Sequence, residues 1–338
     1  MKPLTLVGIP PYEGFSSDDF LGGGGCGFVD FVDDSIALKY MPKHDVDSEP
    51  DDPNRELEIL REERRREECA RYMRREKRMF LALDVEPHPH ILQSLLHVPD
   101  GIFMPRLQCT LEHRLEPEQG TICKKSEMQW IRGIASGAAW LEEKGIVHGD
   151  VRPPNVLLDR NEDVKLCDFD CSVRLGDTLM ANTARYTRTQ AETASAQSEL
   201  FSIGSTIHNI VTKRVVYDEI DDEEEIQRRF HSGEFPPTED SSLTAIVQRC
   251  WTHSYDNVAQ LAEETRQIYD QTTCGEDGHA HLEATVLGRD ELSILKNRCE
   301  SYAADPSLLK VLKKQQSEER KAIREQARLV PRQKLEVS

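Results

Sequence analysis

The feature that most constrains this chain is a polar cluster set among apolar neighbours. His148-Gly149-Asp150-Val151-Arg152-Pro153-Pro154-Asn155 is followed, thirteen positions after Asn155, by Asp168 in Lys165-Leu166-Cys167-Asp168-Phe169-Asp170. Between them, 156–158 and 164–166 read as two short strands across a polar turn. Ahead of the cluster, Met128, Ile131, Ile134, Ala135, Ala138 and Leu141 recur at helical spacing. Ser126 and Gln129 read as a capping box for that helix, and Lys144-Gly145 as its end. A carboxylate such as Asp150 can orient an attacking hydroxyl. Asn155 and Asp168 can offer oxygen ligands to Mg²⁺ on a triphosphate. Three such groups at these offsets, beside a buried helix, point to chemistry and not to surface decoration.

An earlier segment points the same way. Gly22-x-Gly24-x-x-Gly27-x-Val29 reads as a hairpin whose backbone N–H groups can pass close over phosphates. Residues 28–32 and 36–40 read as strands across an Asp33-Asp34-Ser35 turn, and Lys39 sits on the second. A dinucleotide-binding glycine cluster would be followed by a helix, and here a strand follows. Residues 54–83 form one helical pattern with Glu and Arg at i,i+4. Further apolar segments lie at 91–96 and 101–107. Helical patterns follow at 199–212 and at 243–269, the first apolar enough to be buried. Residues 218–225 are acidic and expected to be exposed. Beyond residue 272 the chain becomes a linker and then a charged tail, with Asp305-Pro306 opening a last helix on which Leu308, Leu309 and Leu312 share a face.

Composition narrows the classes. The 338 residues leave room for one large domain or two lobes, and a net charge of −18 argues against a nucleic-acid binder. Nine cysteines without a CxxC pair argue against a zinc ribbon and for reduced thiols. No apolar stretch reads as a signal peptide or a membrane span. The expectation is a soluble intracellular protein, cytoplasmic or nuclear, with no membrane partner. Arg64-Arg65-Arg66 reads as helix surface more readily than as a nuclear signal, and His279 and His281 lack nearby metal partners.

In order along the chain, the glycine loop, the strand lysine, H-x-D-x-x-x-x-N and D-F-x resemble the signature set of the eukaryotic-type protein kinase superfamily. The chain is most similar to the kinase-like proteins of filamentous fungi. Glu76 running into His88-Pro89-His90-Ile91, Glu234-Phe235-Pro236 and Cys250-Trp251 support the resemblance, which covers about residues 14–270. It implies a two-lobed α+β fold: an antiparallel small lobe with a long αC helix over 14–107, a mainly helical large lobe over 108–270, and a helical tail over 271–338.

It also implies an ATP- and Mg²⁺-dependent transfer of the γ-phosphoryl group to a protein hydroxyl of the serine/threonine type. Asp150 would orient the acceptor, with Arg152 near the γ-phosphate. Lys39 would contact phosphates and pair with an αC glutamate, Glu76 by its place ahead of the His88–Ile91 turn, with Glu58, nearer the usual distance from Lys39, as the alternative. Gly22, Gly24, Gly27 and Val29 would cover the nucleotide. Met104, Pro105 and Leu107 would form the gatekeeper and hinge, Cys167 would line the nucleotide pocket, and Asn155 and Asp168 would hold the metal. Thr183-x-x-Tyr186 would cradle the acceptor, beside Arg185 and Arg188. The αC insertion and the tail would be the surfaces for a partner.

The chain departs from the family pattern at four places. Gly149 replaces the arginine of H-R-D, which removes the usual clamp for a loop phosphate and makes regulation at Thr178 or Thr187 unexpected. Asp170 replaces the glycine of D-F-G, Gln190 replaces the glutamate of A-P-E, and Glu199 replaces a buried aspartate. These departures leave two other readings open. One is a nucleotide-binding pseudokinase scaffold. The other is a small-molecule phosphotransferase of the aminoglycoside or choline type, whose motifs resemble H-G-D-x-x-x-x-N and D-F-D.

Overall fold

The computed structural model describes residues 20–24, 27–41, 55–181, 183–188, 193–236, 242–273, 284–302 and 306–329. Two compact units emerge: Met1–Pro87 with Gln93–Arg106 and Leu287–Ser338, and His88–Leu92 with Leu107–Val286.

In the first unit, β1 (Phe20–Gly23), β2 (Phe28–Asp33) and β3 (Ile36–Tyr40) precede α1 (Arg55–Leu83), β4 (Leu96–Val98) and β5 (Gly101–Pro105). The strands form one antiparallel sheet in the order β1-β2-β3-β5-β4. The β2–β3 turn is closed by Asp33 Oδ1, which accepts from the Ser35 N–H at 2.8 Å. Helix α1 runs for 29 residues without a Gly or Pro. It buries Cys69, Met73, Glu76 and Phe80 at spacings of three and four, one face of a helix. Its first half is exposed, Leu57 and Leu60 included.

The second unit carries β6 (Cys109–Thr110), α2 (Leu111–Arg114), α3 (Lys124–Glu143), β7 (Ile146–Val147), β8 (Val156–Leu158), β9 (Val164–Leu166) and β10 (Val173–Arg174). Helices α4 (Ala196–Thr212), α5 (Glu223–His231), α6 (Ser242–Trp251) and α7 (Val258–Thr273) complete it. Helix α4 is buried from Ser198 to Ile210, as its low charge leads one to expect. A Ser195–Ser198 capping box starts it and Lys213, in the left-handed region, ends it.

Two sequence expectations are corrected here. Helix α3 starts at Lys124, with the Cys123 thiol accepting from the Ser126 N–H, so Ser126 and Gln129 form no capping box. Gln129 is buried and donates instead to Asn161 O and Asp163 Oδ1. The single pattern over 243–269 is two helices, because the chain turns at 252–257 with His253 at φ 57°. The acidic 218–225 stretch is largely exposed, as expected, and it contains a helix start: Asp222 accepts from Glu224 N and Glu225 N and caps α5.

Helices α8 (Arg289–Tyr302) and α9 (Pro306–Leu329) rejoin the first unit, where the sequence reading set 271–338 apart. Leu295 and Cys299 of α8 share one core with Ile36, Leu38, Tyr40, Leu95, Leu96, Val98 and Phe103. The side chains of Leu308, Leu309 and Leu312, and Asp305 itself, lie outside the described residues. Among the described residues no helix is long and apolar enough to cross a membrane.

Two buried histidines give the fold an acid sensitivity. Burial, with Lys77 and Arg320 nearby, holds His97 down to about 3. His90, bonded to Val164 O at 3.0 Å, is held down to about 4, also chiefly by burial. Each stays neutral in the native chain while the unfolded chain gains a proton below about pH 6.5. Stability is therefore expected to fall as pH drops from 6.5 towards 4. His97→Gln or His90→Gln should flatten that slope in urea unfolding at stepped pH; an unchanged slope refutes the assignment.

Candidate active site

The first unit brings Lys39 and Glu76 together. Lys39 Nζ lies 2.7 Å from Glu76 Oε2, with side-chain exposures of 12% and 1%. Strand β3 presents Lys39 from a run that otherwise buries Ile36, Ala37, Leu38 and Tyr40. Glu58 is exposed on the outer half of α1, so Glu76 is the partner. Val29 stands opposite Lys39 in the β2–β3 register. The β1–β2 hairpin closes with Gly24 N donating to Gly27 O at 2.9 Å. A Cβ on Gly27 would lie 3.1 Å from Lys39 Cε, so the glycine lets the lysine stem pass under the loop. Gly22 and Gly24 face open space. Met104 and Pro105 are buried on β5, opposite Ala37 and Ile36. Leu107 is half-buried and belongs to the second unit.

The second unit assembles the polar cluster. Strand β8 follows Asn155 directly and pairs Val156 with Leu166 of β9. Cys167 N then donates to Asn155 O at 3.0 Å. The thirteen-residue spacing is thus the length of a hairpin that returns Asp168 beside Asn155. Asp168 sits in the left-handed region at φ 63°, and Phe169 behind it is fully buried against the His148 ring at 5.1 Å.

Asp150 is 7% exposed. Its Oδ2 accepts from Arg152 Nε at 2.9 Å and from Asn155 Nδ2 at 2.7 Å, and its Oδ1 from Thr183 Oγ1 at 3.4 Å. Asn155 Nδ2 also donates to Asp150 O at 2.9 Å. With the amide nitrogen so engaged, the amide oxygen of Asn155 is the atom left to ligate. Charge-assisted bonds on both carboxylate oxygens fix the direction from which Asp150 can take a proton. Among the described residues no group of three or more His, Cys, Asp or Glu could hold a metal ion by itself. Asn155 and Asp168 fit an ion that completes its shell with phosphate and water oxygens, as Mg²⁺ does.

Helix α4 supports this loop with residues the sequence reading undervalued. Glu199 Oε1 accepts from His148 N at 2.9 Å and its Oε2 from Gly149 N at 3.0 Å. Ser202 and Thr206 both donate to Val151 O, at 3.2 and 2.9 Å. Burial pushes the Glu199 carboxyl above the ordinary range, against the opposing pull of those two N–H groups. The longer side chain at 199 therefore spans the loop on its own. The legible signal was polar residues at i, i+3 and i+7 in an apolar helix.

Arg185 is likewise no solvated charge: it donates to the carbonyls of Val216, Tyr217 and Ile220. Arg188 contacts the His253 ring. The Gly176–Thr178 stretch is tied to Thr193 and Ala194 by backbone bonds. Gln190 and Glu192 lie outside the described residues.

Compared with known families, residues 15–276 match the protein kinase domain. The chain belongs to the protein kinase family. Its members are enzymes that act on proteins, and the antiparallel sheet with α1, followed by the helical second unit, is that family's α+β fold. Among curated relatives, the kinase is 30% identical over 113 residues to serine/threonine-protein kinase kin-29 of Caenorhabditis elegans, covering 32% of this chain and 13% of that one. It is 26% identical over 168 residues to serine/threonine-protein kinase PknB of Mycolicibacterium smegmatis, covering 44% and 26%. It is 37% identical over 89 residues to mitogen-activated protein kinase kinase mkk1 of Cytospora mali, covering 24% and 17%. Each match thus spans about a quarter or less of the relative's length.

Gly149 generates a prediction. Its φ is +80°, and a Cβ there would lie 3.1 Å from the Cys171 carbonyl oxygen. Gly149→Ala is expected to cost about 1–2 kcal/mol in denaturant unfolding, from left-handed strain. Gly149→Arg, which restores the family residue, should cost at least as much. An unchanged unfolding midpoint in both variants refutes the strain argument.

Proposed function

We propose that this kinase is catalytically active and transfers the γ-phosphoryl group of MgATP to a serine or threonine hydroxyl of a protein. The observation that carries the reading is the Asp150 carboxylate, held on both oxygens by Arg152, Asn155 and Thr183.

Asp150 is aimed to orient the acceptor hydroxyl and to accept its proton as the phosphoryl group moves away from ADP. Asn155, through its amide oxygen, and Asp168, through its carboxylate, would hold Mg²⁺. When bound, the metal supplies charge neutralisation on the phosphate oxygens. Lys39, kept in place by Glu76, would contact the α- and β-phosphates, beneath backbone N–H groups of the Gly22–Gly27 hairpin. Met104, Pro105 and Leu107 would flank the adenine. Arg152, its guanidinium anchored by Asp150, is left to reach a γ-phosphate with its remaining N–H groups.

Thr183 against Asp150 supports a serine/threonine acceptor, and so does the similarity to serine/threonine-protein kinases. Two departures that favoured a scaffold lose weight: Glu199 makes both loop bonds, and Gly149 occupies a backbone conformation that suits glycine.

The test uses purified chain with labelled ATP, Mg²⁺ and generic protein substrates. Asp150→Asn should lower transfer by roughly 10²–10⁴-fold while nucleotide still binds. Lys39→Ala should abolish it. Nucleotide binding without any transfer by the wild type supports the scaffold reading instead. Transfer only to a choline or aminoglycoside panel supports the small-molecule one.

Regulation yields a second expectation. The Gly176–Thr178 stretch is already tied to Thr193 and Ala194 through backbone bonds, and position 149 has no side chain to receive a phosphate. Thr178→Asp should change turnover by less than about threefold, because it adds charge at an exposed position with no arginine at 149 to meet it. Activation of about tenfold or more by Thr178→Asp would overturn this.

A further inference from the structure

Helices α8 and α9 meet both halves of the Lys39–Glu76 pair from within the first unit. On the sheet side, Leu38 and Tyr40 flank Lys39 in sequence, and both pack in one core with Leu295 and Cys299 of α8. Asp33, at the end of β2, accepts from Tyr302 Oη at 3.0 Å and pairs with Arg298 Nη2 at 2.6 Å. The end of β2 is therefore tied to α8.

On the helix side, Asp84 closes α1 one residue after Leu83. It accepts from the Ser94 hydroxyl at 2.5 Å and faces Arg320 Nη2 of α9 at 3.6 Å, with the Asp84 side chain only 10% exposed. Gln316 Nε2 of α9 donates to His97 O at 3.1 Å. Lys77, the residue after Glu76, donates to Val98 O and Pro99 O. Strand β4 is thus bonded both to α1 and to α9. Leu287 N, just ahead of α8, closes the set on Gln93 Oε1 at 2.9 Å.

We infer that the C-terminal helices α8 and α9 are a positioning element of the phosphotransfer site, holding α1 against the sheet so that Glu76 meets Lys39. The inference rests on the kinase reading above and adds a part that lies outside the 15–276 family match. Arg320 and Gln316 act through Asp84 and His97 O; neither touches Lys39. Within the segment expected to meet another protein, Leu295 and Cys299 of α8 pack into the chain's own core. Rotation or sliding of α1 would carry Glu76 away from Lys39, and both motions strain the Arg320–Asp84 link, while Gln316 holds α9 to β4.

The experiment uses the full chain. The paired substitution Gln316→Ala/Arg320→Glu removes one link and opposes Asp84 with a like charge; Arg320→Lys is the conservative control. Three quantities are read: amide deuterium exchange over residues 72–84, affinity for the non-hydrolysable analogue AMP-PNP with Mg²⁺, and kcat and KM for ATP. The paired variant is expected to speed exchange over 72–84 and to weaken AMP-PNP binding by about tenfold, the size of coupling that packed networks carry. Arg320→Lys should stay within about twofold of the wild type, since it keeps the charge.

The decisive arm repeats the paired substitution on Lys39→Ala. If the tail works through the ion pair, it should cost little further affinity there, because the interaction it supports is already gone. Equal losses with and without Lys39, unchanged AMP-PNP affinity, or faster exchange with unaltered binding would each overturn the inference. The cycle reads binding and exchange alone. A wild type that binds nucleotide and transfers nothing would sink the catalytic reading while the cycle still decides the tail.

Discussion

A single buried carboxylate organises the catalytic half of this kinase. Glu199 accepts the N–H groups of His148 and Gly149 from a helix with almost no exposed surface. Two orphaned backbone donors in that setting would each cost on the order of 1–3 kcal/mol. The loop therefore has one resting conformation, and the other contacts follow from it. Val151 O is turned towards Ser202 and Thr206, His148 Nε2 meets Cys167 O at 2.9 Å, and Ser172 Oγ donates to His148 O at 3.0 Å. With both ends of the hairpin fixed in this way, Asp150, Asn155 and Asp168 inherit their geometry from the backbone beneath them.

Much of this was legible in the sequence because the information was local. The β2–β3 hairpin, α1, the β8–β9 hairpin and α4 each carry a pattern complete within about thirty residues. The polar cluster is legible for the same reason: its spacing is the length of one hairpin. The choice of Glu76 over Glu58 rests on its place ahead of the His88–Ile91 turn and not on a local pattern, since both lie on one helix and only packing selects which face is buried. The substitution at 199 misled, because a residue-by-residue comparison treats an extra methylene as a loss when the carboxylate simply reaches two donors at once.

The C-terminal region was least legible. Helix α8 has few apolar residues, and its function in the fold depends on Leu295 and Cys299 meeting sheet residues as far back as Ile36. Its partners Asp33, Asp84 and Gln93 look like ordinary surface residues until α8 and α9 are placed. Charge was equally deceptive at Arg185, whose three carbonyl partners make it a brace for the 216–220 loop.

The length of α1 has a mechanical meaning. Measured from the Asp84 anchor, Glu76 is eight residues away and Arg55 twenty-nine. At a rise of about 1.5 Å per residue these are arms of ~12 and ~44 Å. A pivot at that anchor that shifts Glu76 by about 1 Å swings the far tip by about 3.6 Å, in proportion to the two arms. The helix is a lever with its fulcrum beside the tail and its free end in solvent, and a modest force at the tip is geared up at the lysine.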